Sequence, residues 1–74
     1  MFKHGDIVKY KGEFLRSVGW YTNVPKDGKV IINDQNPILG DPSEKFCCVA
    51  VHWCDSPAPK LCNIKNIMLA SKPG

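Results

Sequence analysis

No stretch of this sequence stays apolar for long; the longest uninterrupted run covers only residues 46–51. A membrane-crossing helix needs about 20 such residues and a secretory leader an apolar segment of about 7–15. Met1-Phe2-Lys3-His4-Gly5-Asp6 opens neither, so a cytoplasmic location without membrane insertion is expected. Helical patterning is missing too. No segment repeats apolar residues at three- and four-residue spacing over three turns, and six prolines fall where helices would start. Paired carboxylates, a Ser/His/Asp set and a glycine-rich phosphate loop are likewise absent, so an enzyme is not expected and no cofactor is implied. Charge of one sign is also scarce: ten Lys and Arg against seven Asp and Glu leave a net +3, well short of a dense nucleic-acid footprint. With 74 residues and no internal repeat, residues 1–74 make one domain.

What the chain does contain is short strands and turns. Asp6-Ile7-Val8-Lys9-Tyr10-Lys11 alternates between Gly5 and Gly12, which reads as a strand with Val8 and Tyr10 on one face. Glu13-Phe14-Leu15-Arg16 reads as a connection, and residues 17–22, with Val18, Trp20 and Tyr21 around Gly19, as an irregular strand or loop. Lys26-Asp27-Gly28 reads as a turn with glycine at a position tolerant of positive φ, followed by the β-branched strand Lys29-Val30-Ile31-Ile32. Residues 33–45 gather Asn, Asp, Gly, Pro and Ser into a long loop. The fold class that follows is all-β, a small barrel or sandwich.

All four cysteines fall between Lys45 and the end of KFCCVAVHWCDSPAPKLC. In residues 46–54, period two places Cys47, Val49, Val51 and Trp53 on one face and Phe46, Cys48, Ala50, His52 and Cys54 on the other. The first set is the larger and more apolar, so it is the expected core face, with Cys47 as a small buried hydrophobe. A zinc site would draw on His52, Cys54 and Cys62, but Cys48 is too far along the strand and no fourth ligand is supplied. A Cys54–Cys62 disulfide across the intervening turn and a His52–Cys54 nucleophile are weaker readings still. The stretch is a strand, and no metal is expected.

The order of F-x-x-GDIVKY, DGKVII, VAVHWCD and LCNIKNIMLA resembles the small SH3-like barrels, over nearly the whole chain. GEFLRSVGWYTNVPKDGKV also resembles a stretch in short proteins of bacteriophages and their bacterial hosts. The resemblance implies a five-stranded SH3-like barrel in which Gly5 and Asp6 begin the first strand and Val49, Val51 and Trp53 fill the core of a central one. It also implies a single helical turn over residues 63–66 and a closing strand over 67–70. No segment like the ALYDY of peptide-binding SH3 domains is present, so that activity is not implied. Gly12, Lys9, Lys11 and Arg16 partly match the first hairpin of KOW-type nucleic-acid-binding relatives.

Two functions follow from these residues. In the first, Trp20 and Tyr21, with Phe14 and Arg16, anchor a protein partner, since aromatics and arginine dominate such contacts. In the second, Lys9, Lys11, Arg16, Lys26 and Lys29 meet phosphates while Trp20 or Tyr21 stacks on a base. The low net charge ranks protein interaction first, with the domain acting as a monomer or small oligomer.

Overall fold

A computed structural model describes residues 2–41 and 47–70. Five antiparallel strands form one sheet in the order β4-β3-β2-β1-β5. They are β1 (Ile7–Tyr10), β2 (Gly28–Ile31), β3 (Cys48–Trp53), β4 (Lys60–Asn63) and β5 (Ile67–Leu69). A helix, α1 (Gly12–Val18), joins β1 to β2, and a 3₁₀ turn (Ile64–Asn66) joins β4 to β5.

The alternation read in the sequence sets the core. Val8, Val30, Val49 and Val51 are completely buried, and Trp53, Cys62 and Ile67 complete the cluster against which Phe2, Tyr10, Ile32, Ile38 and Ile64 pack. Cys47 is buried as expected, and Cys48 and His52 turn the other way. Cys62 differs from the expectation that grouped it with His52 and Cys54. Its register partner is Val49, which places it on the core face, opposite His52. Phe46 and the end of the expected loop, residues 42–45, lie outside the described residues.

The turn near the C-terminus is present: the Asn63 side chain accepts the Lys65 backbone N–H at 2.9 Å and so caps it. Among the described residues the sheet is not closed into a barrel. The sheet is open, with β4 and β5 as its two edges. It is nevertheless strongly curled. Asn63 and Ile67 belong to opposite edges yet are separated by at most about 14 Å of chain, whereas the outer strands of a flat five-stranded sheet lie about 19 Å apart. Strands of only three to six residues curl but leave few groups to pair across the gap.

Helix α1 is a departure from the expected connection. Phe14, Leu15 and Val18 lie at helical spacing, Glu13 favours the first turn and Gly19 ends the helix in the left-handed conformation (φ 69°). The Trp20 N–H bonds to the Leu15 carbonyl at 2.9 Å and the Gly19 N–H to that of Arg16 at 3.3 Å, the paired bonds of a Schellman motif. Seven residues are too few for the three-turn periodicity on which a helix is recognised in sequence.

Candidate functional site

Tyr10 is the hub of the exposed end of the core. Its ring stacks on Trp53 (4.2 Å between centroids, 15° between planes) and on Phe14 (5.3 Å, 24°), and Trp20 meets it tilted at 56° and 5.1 Å. Such ring pairs each add about 0.5–1.5 kcal/mol beyond the area they bury. The helix therefore reaches the sheet through Phe14 on one side and Trp20 on the other. The Schellman turn fixes the backbone of Trp20, and its indole N–H donates to the Thr22 carbonyl at 2.8 Å.

The sequence-derived residues separate into two groups. Phe14 and Trp20 converge on Tyr10 and are half-buried, so both are supports of the surface more than its outermost points. Tyr21, 71% exposed, and Val18, 56% exposed, stand free beside them in the chain, and Arg16 is exposed on the same helix. No residue of α1 is buried although it carries Phe14, Leu15 and Val18. Lys11 is held through its backbone: its N–H donates to the Asn66 carbonyl at 2.8 Å and its carbonyl accepts from Leu15.

Lys9 is set apart. Alternation along β1 turns Lys9 to the sheet face opposite Tyr10, where it pairs with Met68 on β5. On that outer face Ile7, Lys29 and His52 form one row across β1, β2 and β3, and Ile31, Ala50 and Leu61 form the next across β2, β3 and β4. The five strands contain no carboxylate at all, while Lys9, Lys29, Lys60 and His52 lie within them. This segregation was not visible until register placed the strands side by side. Lys9 and Lys29 thus share a face with each other and not with Trp20.

The cysteines are four free thiols, Cys47 and Cys62 buried and Cys54 exposed. Among the described residues no three His, Cys, Asp or Glu side chains converge as metal ligands, and no helix is long and apolar enough to cross a membrane. The Tyr10 hydroxyl lies 3.9 Å from the Cys62 Sγ. Burial first, and then the neighbouring Cys62 and Asp55, push the Tyr10 hydroxyl well above the ordinary tyrosine range.

The folded protein accordingly keeps this proton where the unfolded chain releases it, from about pH 10 upward. Stability from Tyr10 is complete below that pH and is lost as pH rises through and beyond it. Urea midpoints measured from pH 8 to 11.5 should fall more steeply for the wild type than for Tyr10→Phe; parallel curves would remove Tyr10 from the linkage.

No family model, no curated protein and no solved structure matches this chain.

Proposed function

We propose that this chain is a non-enzymatic protein-interaction module of SH3-like barrel type, whose contact surface is α1 and the loop that follows it. The strand order, the curled sheet and the 3₁₀ turn before the last strand support the barrel type. One observation carries the function: a helix with Phe14, Leu15 and Val18 has no buried residue and runs on into Tyr21 at 71% exposure. Arg16, Val18 and Tyr21 make the contact, and Phe14 and Trp20 hold them on the Tyr10 ring. Aromatic and arginine side chains bury large areas at low entropic cost, which makes them anchors of protein interfaces. The partner is a cytoplasmic protein of a bacterial or phage-infected cell, in keeping with the resemblance and with four thiols that remain unpaired.

Tyr21→Ala tests this surface, because the exposed ring contributes little to the fold. Its melt should match the wild type while partner affinity falls by about 2 kcal/mol or more, the scale of an interface anchor. Unchanged capture of the partner from bacterial lysate by the variant would reject the surface. A second reading, nucleic-acid binding, rests on the carboxylate-free strands and on Lys9 and Lys29 sharing the outer face. Binding of that kind weakens steeply between low and physiological salt and falls further in Lys9→Gln/Lys29→Gln, whereas an apolar contact through Tyr21 responds little to either.

A further inference from the structure

The end of β1 away from Tyr10 carries a second concavity, separate from the surface just described. Phe2, Asp6, Ile64 and Leu69 line a pocket of about 240 Å³. Phe2 and Ile64 pack against the core cluster, and Leu69, opposite Val8 across β5, is 56% exposed at the rim. Three of the lining residues are therefore apolar and the fourth is Asp6. The Asp6 Oδ2 accepts the Lys3 backbone N–H at 2.8 Å, which fixes the direction of the group. Its backbone is held as well, its N–H on the Lys3 carbonyl at 3.0 Å and its carbonyl on the Val30 N–H at 2.8 Å. Among the described residues no cation pairs with it.

We propose that this pocket binds a primary alkylammonium group, with the methylene stem against Phe2, Ile64 and Leu69 and the charge on the second oxygen of Asp6. A neutral apolar ligand would strip water from the carboxylate without replacing it, and an anion would be repelled. A guanidinium fits less well, since its fork prefers both oxygens and one is already engaged by the backbone. The volume lies below the roughly 300–1,000 Å³ of sites for drug-sized ligands, which matches an amine of about five carbons. That chemistry is offered by a free aliphatic amine and by the side chain of a lysine in a peptide.

The test is a titration of the full chain followed by amide and methyl NMR, with pentylammonium, an end-blocked glycine-lysine-glycine peptide, and hexanoate as the anion of similar length. Both amines should give saturable shifts confined to Phe2, Asp6, Ile64 and Leu69, and hexanoate none. Asp6→Asn keeps an acceptor for the Lys3 N–H but no charge, so it should bind the amines up to about fivefold more weakly, the scale of one part-exposed ion pair. Leu69→Lys, on an exposed edge position, brings an ammonium of the chain's own to Asp6 and should abolish the titration even where Asp6→Asn folds poorly. Tighter binding of the peptide than of pentylammonium assigns the site to a protein lysine, and the reverse assigns it to a small amine. Equal affinities in Asp6→Asn, equal shifts with hexanoate, or shifts centred on Tyr10 and Trp20 would overturn the proposal.

Discussion

Tyr10→Ala should lower the melting temperature steeply or abolish the cooperative transition. Tyr10 touches the rings of Phe14, Trp20 and Trp53, so its removal opens a gap between the helix and the sheet that neither side can fill. Truncating a large aromatic in a packed site costs about 3–5 kcal/mol. A domain of 74 residues commands only about 4–11 kcal/mol at the usual 0.05–0.15 kcal/mol per residue, so the loss takes from about a third to all of its stability. Tyr10→Phe keeps all three ring contacts and gives up only the weak approach to the Cys62 thiol, and it should melt within a few degrees of the wild type near neutral pH. A Tyr10→Ala protein that still melts sharply, close to the wild-type temperature, would show that α1 is not fastened through this ring.

Gly28→Ala is the second large effect. Gly28 is buried at the start of β2, opposite Trp53 in the register, and its backbone is not in the left-handed region. Space is what requires glycine there. A Cβ would come to 2.5 Å from the Val51 Cγ1 and 2.7 Å from the Trp53 Cε3, and both belong to the fully packed interior. The same indole is stacked on the Tyr10 ring, so a shift of Trp53 would disturb that stack. Overpacking of a core costs about 1–3 kcal/mol when neighbours adjust and more when they are trapped. The expected result is a loss of unfolding free energy in urea of at least the upper part of that range, together with a change in the near-ultraviolet signal of Trp53. A midpoint within error of the wild type would mean that the sheet yields at this point more easily than its packing implies.

Gly28 also marks the boundary between what the sequence disclosed and what it did not. The strand after it was legible from Val30 and Ile31, but the glycine itself read as a turn residue, because a sequence shows a small residue without showing the indole laid across it. Val49, Val51 and Trp53 were assigned to the core on period alone, since one buried face is enough to fix alternation. The helix was missed for the opposite reason. Phe14, Leu15 and Val18 show one turn of spacing, and its strongest signal was Gly19 followed by Trp20, a stop that makes sense only once Trp20 is seen returning to Tyr10. Cys62 and Lys9 depended on which residue faces which across strands, and pairing between segments far apart in the chain leaves no local trace. For the same reason Arg16 and Tyr21, close together in the chain, could be proposed from the sequence, while the pocket lined by Asp6, assembled from both ends of the described chain, could not.

The pairing of β1 with β5 has a kinetic side. β2, β3 and β4 are neighbours in the sheet in the order they follow in the chain, joined by residues 32–47 and 54–59. β1 gains its second partner only when Ile67, Met68 and Leu69 arrive from the far end of the sequence and align with Tyr10, Lys9 and Val8. That long loop must be closed before its contacts are gained, so the step is the slow one by topology. Until it happens one side of β1 presents unpaired backbone groups next to Val8. During synthesis the nascent protein therefore passes through a stage with an adhesive edge, guarded in this interval by the charge of Lys9.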